Sequence, residues 1–522
     1  MAEAGFRKFI ITLTVIAAAV IELIDTSIVN VGLSNMSGNL GSTLEDTAWV
    51  VTSYAIANVI IIPMTSFLAA RLGRRNYYIG SILLFTAASV ACGQAHTIWE
   101  LVTFRFIQGI GGGALLSTSQ AILFETFPVS QRGIAAALFS VGVFIGPTIG
   151  PTIGGWIIDN YSWPWIFYIN LPIGIAAAIL SYIYVTEPAQ TRSARHIDWL
   201  GIGLLIAGLG SLQTVLERGE TEDWFSSRLI VILSAIAVLT LVGFIVWQLI
   251  AKHPVVDLRV LRSRTLATAA TLTFVLGFAL FATVFIVPIF VQRLLGFSAF
   301  ETGMLFLPGA GIAVLFLPMV GRALMKGVPP QSMVVAGFLV VAVFAAMLGN
   351  LNLSAGAHQF FWPIILRAIG LCLLTVPLTQ LAVSGLPARD IPQGVALNNM
   401  MRQLGGSFGI AFINTFLDHR GAVHRLDLVS RLASGDPSTD ARLRALTSTL
   451  SHQGFSPWEA AHRAMAMLEL LVQRQSNLLS YLDAYHLVAG ICLVCLPLIL
   501  LSGRPRGANA AAAAAAAASE SH

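Results

Sequence analysis

Charge is scarce in this sequence. Only 11% of its 522 residues are Asp, Glu, Lys or Arg, against roughly a quarter in soluble domains, too few to wrap a water-soluble globule of this size. Cysteine is scarcer still. Cys92, Cys372, Cys492 and Cys495 all fall inside apolar runs, which excludes a disulfide scaffold. The Cys492-x-x-Cys495 pair sits mid-span, away from the exposed electropositive setting that a redox dithiol needs. Walker-type phosphate loops, H-E-x-x-H, nucleophile elbows and EF-hand spacings are missing too, so ATP-driven transport and membrane hydrolysis have no support, and neither metal nor cofactor is expected. Apolar side chain is what the chain has in excess: 56% of residues, with a mean hydropathy of +0.80. One or two cores cannot enclose that much, and lipid is the solvent that accepts the rest. The class is an all-α polytopic membrane protein, because lipid offers no partner to an open backbone. Disorder and nucleic-acid binding are excluded by the same composition, despite a net charge of +5.

Apolar stretches near the roughly 20 residues needed to cross a bilayer recur along the chain. Fourteen are expected, at about 9–33, 48–70, 77–95, 101–124, 133–158, 165–186, 199–216, 229–251, 266–292, 302–324, 332–350, 361–384, 394–416 and 483–502. The first follows Arg7 and Lys8 but contains Glu22 and Asp25 and lacks a small-residue cleavage site, so it reads as a retained helix. With the N-terminus in the cytoplasm, inside breaks carry seventeen Lys/Arg and short outside breaks carry three, Arg218, Arg228 and Arg293. The positive-inside rule then places both termini in the cytoplasm. The long segment 417–482 holds seven more arginines, a turn-rich stretch at Ser434-Gly435-Asp436-Pro437, and a helical stretch from Pro457 in which Ala464, Met467, Leu468 and Leu471 repeat at helical spacing. Nine alanines, 510–518, make the tail low in complexity.

Ionisable groups inside a bilayer cost about 2.5–3.5 kcal/mol each on insertion scales, so the few present are informative. Glu22 and Asp25 are three apart on the first span, hence on one helix face, an arrangement suited to carrying a proton. Arg105, in Arg105-Phe-Ile-Gln108-Gly109-Ile-Gly111-Gly112-Gly113, needs an acceptor, and those two acids are the deep carboxylates available. Either it tunes them, or it fixes packing through backbone carbonyls. Arg367 and Arg402 lie in later spans with no acid nearby in sequence, which leaves a structural role or contact with an anionic substrate equally open. In the fifth span, Gly142, Gly146-Pro147, Gly150-Pro151 and Gly154-Gly155 give a groove for a neighbouring helix and two prolines that bend the axis, as suits a gate. The break containing Arg71, Gly73, Arg74 and Arg75 reads as a tight cytoplasmic turn.

Taken in order, these segments resemble the EmrB/QacA group of fourteen-span drug:proton antiporters of the major facilitator superfamily, over about residues 10–500. Leu23-Ile-Asp25-Thr26-Ser-Ile-Val-Asn30-Val31 looks like the first-helix motif, Arg105–Gly113 like the fourth-helix motif, and Gly146–Gly155 like the antiporter motif. Supporting matches are Asn160-Tyr-Ser-Trp163-Pro-Trp165 through Asn170-Leu-Pro172, Leu216–Gly219 with Asp223-Trp224-Phe225, and Arg402-Gln-Leu-Gly405-Gly406-Ser407. Ala70 stands where the superfamily's loop motif usually has an acid, Gly32-Leu33-Ser34 replaces a common Ala-Leu-Pro, and Glu22 is additional to the common pattern.

The resemblance implies a major facilitator fold: a six-helix bundle over 1–190, two inserted helices over 191–265, and a second bundle over 266–502 that includes the periplasmic segment 417–482, followed by the tail 503–522. It implies a proton-driven exporter of hydrophobic or amphipathic compounds in a bacterial inner membrane. Asp25, Glu22 and Arg105 would couple protons, and Thr26, Asn30, Trp49, Tyr54, Gln108, Gln380, Asn398, Asn399 and Arg402 would line the cavity. The long 417–482 segment resembles the EmrB side of the group, which implies a periplasmic membrane-fusion partner and an outer-membrane channel. A metabolite exchanger or importer on the same fold, or a non-transporting membrane sensor, are the alternatives.

Overall fold

A computed structural model describes residues 2–128, 131–186, 197–432 and 437–501, and among them the secondary structure is helical, with no strand. The first helices are α1 (Ala2–Leu40), α2 (Leu44–Leu72), α3 (Arg74–Gly93), α4 (Ile98–Thr126) and α5 (Arg132–Asn160). A short α6 (Trp165–Tyr168) leads into α7 (Asn170–Tyr184). Two further helices, α8 (Trp199–Arg218) and α9 (Arg228–Ile250), precede α10 (Arg264–Ile289), α11 (Ala299–Met325), α12 (Pro330–Leu348) and α13 (Ala357–Val383). The chain closes with α14 (Ile391–Ser430), α15 (Pro437–His452) and α16 (Pro457–Val494).

Local chemistry sets several of these boundaries. The side chains of Thr43 and Thr97 cap α2 and α4 by accepting from the amides of Asp46 and Glu100, while Ser298 and Ser456 form reciprocal capping boxes with Glu301 and Glu459. Gly73, at φ +84°, makes the turn between α2 and α3 that the sequence places there.

Among the described residues, twelve stretches of helix are long and apolar enough to cross a membrane. Apolarity alone therefore accounts for twelve of the fourteen expected spans. The other two expected positions are occupied by α4 and α14, which match in length but carry Arg105, Gln108 and Gln120 in one case and Asn398, Asn399 and Arg402 in the other. Such groups survive only where protein encloses them, and α4 is packed by α1, α2 and α3 while α14 lies against α10 and α2.

Two groups of helices pack internally. In one, α1 rests on α5, α4 and α7, α2 on α4, and α3 on α4 and α7; in the other, α10 rests on α14 and α13, and α12 on α13 and α16. The pair α8–α9 packs on itself and leans through α8 on α2 and α14. Between the groups, α5 meets α11 and α13, and α14 meets α2 and α4. An apolar cluster crosses this seam: Val15, Leu123, Ala136 and Phe139 from the first group join Leu317, Val376 and Val395 from the second. All seven lie in the halves of their helices nearest the arginine-rich breaks, so the seam is sealed at the basic end.

The segment 417–482 differs from its expected mixture of turn and helix. The thirteenth span does not stop near 416, because α14 continues to Ser430, and the last span begins at Pro457, because α16 runs unbroken to Val494. At ~1.5 Å per residue these helices are about 60 and 57 Å long, roughly twice the hydrocarbon thickness, so each projects well beyond the membrane. The projections are clipped together by Arg420 and His424 on Asp483 and by Arg425 on Glu469. The expected apolar stripe is only partly buried. Ala460, Ala464 and Val472 face inward with Leu468 partly covered, whereas Met467, Leu470 and Leu471 stay exposed. The inward face follows steps of four, one residue out of phase with the stripe counted from Met467 and Leu471. Ser434, Gly435, Asp436 and the tail beyond 501 lie outside the described residues.

Candidate functional site

Asp25 is completely buried on α1 and fully engaged. Its carboxylate accepts from Arg105 Nη1 at 2.5 Å, from Gln108 Nε2 at 2.9 Å and from Asn170 Nδ2 at 2.9 Å. Gln108 in turn accepts from Arg105 at 2.7 Å and donates to Ser89, to which Asn170 also donates. Arg105, 1% exposed, also donates to the Val50 carbonyl at 3.2 Å and lies 4.2 Å from the centre of the Tyr54 ring. Five helices thus contribute to one polar knot in which opposite charges meet and the surrounding amides are satisfied, the condition under which a buried ion pair is tolerated. Arg105 answers to both sequence alternatives, since it holds a carboxylate and a backbone carbonyl together.

Glu22, one turn away, faces elsewhere. Its Oε1 accepts from Asn58 Nδ2 at 3.0 Å and from the Tyr54 hydroxyl at 3.4 Å, while Oε2 is buried without a partner. Neutral donors therefore stand where Asp25 has a guanidinium. From the second group, the charge that acts on Glu22 is that of Arg402 on α14. Arg402 lines a small cavity on the seam, about 20 Å³, together with Gln120, Ser140, Thr273, Thr379, Asn398 and Asn399. Asn399 bridges the seam by donating to Ser117 and Gln120, and Asn398 accepts from Thr273 at 2.9 Å.

Glycines bring these helices into register. On α5, a Cβ at Gly142, Gly146, Gly150 or Gly154 would lie within 2.8 Å of Val20, Leu23, Ser27 or Ile28 of α1 respectively. The stripe is therefore the bed of the helix that carries both acids. Gly155 is open, and Pro147 and Pro151 sit within one continuous helix, the latter exposed. On α4, Gly109, Gly112 and Gly113 admit Tyr54 and Asn58 of α2, which is how Glu22 acquires its donors.

Other expected site residues lie apart from this centre. Thr26 and Asn30 bond to carbonyls of their own helix, and Asn30 is exposed. Trp49 stacks with Arg218 of α8 at 5.0 Å, towards the opposite end from the basic turn. Gln380 is partly buried, its Oε1 without a partner. Arg367 donates to Thr283 and faces Phe306. In the α2–α3 turn, Arg74 pairs with Glu125 at the end of α4, which supplies the acid that Ala70 does not, and Arg75 donates to the Tyr182 carbonyl while Arg71 is exposed. Asn58, Ser89 and Asn170 join the centre without having been singled out as site residues. An amide isolated in an apolar run, as in Ala57-Asn58-Val59-Ile60, is the signal that could have found the first.

A multi-helix membrane fold of two helix groups, one of which buries an ion pair and a second carboxyl, defines a class, the secondary transporters. The Major Facilitator Superfamily pattern matches residues 15–410, and the chain belongs to that superfamily. It is 34% identical to the Escherichia coli (strain K12) "Multidrug export protein EmrB" over 97% of both chains, and 30% identical to the Neisseria gonorrhoeae "Fatty acid resistance protein FarB" over 95% of this chain and 96% of that one. The fold also superposes on the proton:xylose symporter XylE with a TM-score of 0.61 at 14% identity, over 95% of this chain and 96% of that one. It is an EmrB-like, multi-pass inner-membrane protein.

Proposed function

We propose that this chain is a proton-coupled multidrug efflux antiporter that exports hydrophobic or amphipathic compounds by alternating access. The observation that carries the reading is the buried Asp25–Arg105 knot with Glu22 beside it, inside one of two separately packed helix groups that meet at a seam. Such groups are costly in lipid and do nothing for a passive scaffold, whereas a seam between two rigid bodies is what alternating access moves. The names of the relatives, multidrug export and fatty acid resistance, support apolar or amphipathic cargo. By the positive-inside rule the sealed basic end is cytoplasmic, so the seam is closed towards the cytoplasm in this conformation. The test is the lumenal pH of everted vesicles, acidified and then given lipophilic cations, weak-acid uncouplers or fatty acids. Alkalinisation by one of these in wild-type vesicles, and not in vesicles lacking the protein, is expected; none in correctly inserted protein counts against the reading.

The projecting ends of α14 and α16 fit the periplasmic arm of a tripartite assembly with a membrane-fusion protein and an outer-membrane channel. They leave Leu426, Met465, Leu470 and Trp458 exposed outside the membrane. Deleting residues 425–475 is expected to abolish export across the envelope while the chain remains inserted; export at the wild-type rate would remove the arm from the scheme.

A further inference from the structure

Among the described residues, the arginines buried to nine-tenths or more are Arg74, Arg105, Arg218 and Arg367. The first three each have a carboxylate within ion-pair distance, on Glu125, Asp25 and Glu45 respectively. Arg367 has none among the described residues. Its Nε donates to the Thr283 hydroxyl at 3.0 Å, its guanidinium lies 5.6 Å from the centre of the Phe306 ring, and no acceptor among the described residues meets its Nη atoms. Most of its five donors are therefore unused. Thr283 hands its own proton to the Ala279 carbonyl, so it meets Arg367 as a neutral acceptor and leaves the positive charge unmatched. One such bond, clipping α13 to α10, does not offset the withdrawal of an ion from water.

The place of this guanidinium in the fold is informative. Leu276 of α10 and Leu378 of α13 both line the small cavity on the seam. Thr283 stands about two turns from Leu276, and Arg367 about three turns from Leu378, each within about 20° of the same helix face. Both steps run away from the arginine-rich breaks, and so away from the apolar cluster that seals the seam at its basic end. Arg367 and Thr283 thus stand on the faces that α10 and α13 turn to the seam, on the unsealed side of the cavity.

We propose that Arg367 is the residue that recognises the negative end of an amphipathic anion, a carboxylate carrying an apolar tail. This rests on the antiporter reading and deepens it by naming the head group. With Nε held by Thr283 the plane of the guanidinium is fixed, and the two Nη atoms form the fork that a carboxylate accepts from bidentately. The setting is one of low dielectric, which strengthens such a pair. A neutral analogue with the same tail leaves the charge unmatched, and a cation adds a second positive charge, so selection comes from the missing counter-charge as well as from shape. Arg402 is not equivalent, because the cavity it borders, about 20 Å³, has room for about one water. The headgroup of an anionic lipid presents the same oxygens, and the experiment separates the two sources.

The experiment is scintillation-proximity binding of radiolabelled dodecanoate to the full-length protein in phosphatidylcholine nanodiscs, with unlabelled dodecanoate, methyl dodecanoate or dodecylammonium as competitor. On the wild type, dodecanoate is expected to compete about tenfold or more better than its ester or the amine. In Arg367→Gln that preference should vanish while competition by the ester is unchanged; Arg367→Lys should keep part of it, and Arg402→Gln all of it. Acid and ester competing alike on the wild type, or no saturable binding of dodecanoate, overturns the proposal without recourse to any variant. So does an Arg367→Gln that weakens acid and ester equally, which is the mark of a merely structural arginine. Adding phosphatidylglycerol to the nanodiscs should leave dodecanoate binding unchanged; displacement that depends on Arg367 would give the site to a lipid headgroup and overturn its assignment to cargo. The antiporter reading fails separately: acid-selective binding with no proton movement sinks that reading alone, and proton-coupled export with no preference for the carboxylate sinks this inference alone.

Discussion

The two helix groups differ in how they hold charge. Within the membrane the first contains both deep carboxylates and a guanidinium already paired to one of them; the second contains Arg367 and Arg402, with Asp418 and Asp483 at the rim away from its basic breaks. Neither group is balanced internally. Asp25 and Arg105 cancel, Arg367 has only the Thr283 hydroxyl and an aromatic face, and what is left is one carboxyl on one side and two guanidiniums on the other. The difference teaches that the first group stores a fixed pair as structure, while Glu22 on one side and Arg402 on the other have no ion-pair partner within their own group among the described residues.

The largest effect should come from breaking the fixed pair. Asp25→Asn leaves Arg105 buried without a counter-ion, and a loss of about 3–5 kcal/mol is expected, read as a fall in thermal stability of the detergent-solubilised protein and loss of transport. Replacing both partners, Asp25→Leu with Arg105→Met, should recover a substantial part of that stability, since a matched apolar pair leaves no orphan charge. If the single variant melts within a degree or two of wild type, the pair is not structural and the contrast between Asp25 and Glu22 collapses.

The next effect separates the stripe that beds α1 from an adjacent glycine that beds nothing. At Gly150 an added Cβ would meet Ser27 Oγ at 2.0 Å, whereas at Gly155 it would meet nothing within 4 Å. Gly150→Ala is expected to cost about 1–3 kcal/mol by overpacking and to reduce transport, because α1 cannot shift without carrying Glu22 and Asp25 with it. Gly155→Ala should stay within about 0.5 kcal/mol of wild type. Equal effects at the two positions would mean that α5 tolerates the extra atom by moving, and that the stripe does not set the position of the acids.

Much of this was legible in the sequence. Two acids in a long apolar span and one arginine in another have few ways to be satisfied in lipid, so a pairing of Arg105 with Glu22 or Asp25 was one of the two readings that cost allowed, the other being backbone carbonyls. The glycine spacing in residues 142–154 likewise implied a close partner helix, though not which one. Three things did not follow. Glu22 and Asp25 share a helix face in projection, but a helix turns 300° in three residues, and that 60° difference is enough to aim Asp25 at α4 and α7 and Glu22 at Tyr54 and Asn58 of α2. Asn58 stood out only as a lone amide in an apolar run, and neither it nor Asn170 could be assigned to the site, because a lone amide bonds equally well to any neighbouring helix. The projecting end of α14, and the unbroken run of α16 from the expected helical stretch at Pro457 into the last span, were missed because hydropathy marks where lipid stops, whereas the backbone ladder stops only at a cap or a breaker.

The smallest effect concerns the outer rim, where the second group keeps its carboxylates. Glu220, in the turn after α8, lies against Asp418 and Asn414 of α14, and nearby Trp224 donates to Thr415 at 2.9 Å. Burial, reinforced by the facing Asp418, pushes the Glu220 carboxyl up from 4.5 to about 7. An acid raised in this way holds its proton more tightly in the folded contact than in the open one. Its stabilising share is therefore full below 4.5 and is lost as pH rises through the window to about 7. Spin labels at the exposed positions Ser226 and Ala422 should give a narrow distance distribution below that window and a broader one above it. In Glu220→Gln, which cannot ionise, the distribution should stay narrow at both. A distribution that broadens with pH in this variant too would assign the change to other rim charges, such as the Arg420–His424–Asp483 cluster, and would make α8 a passive neighbour of α14.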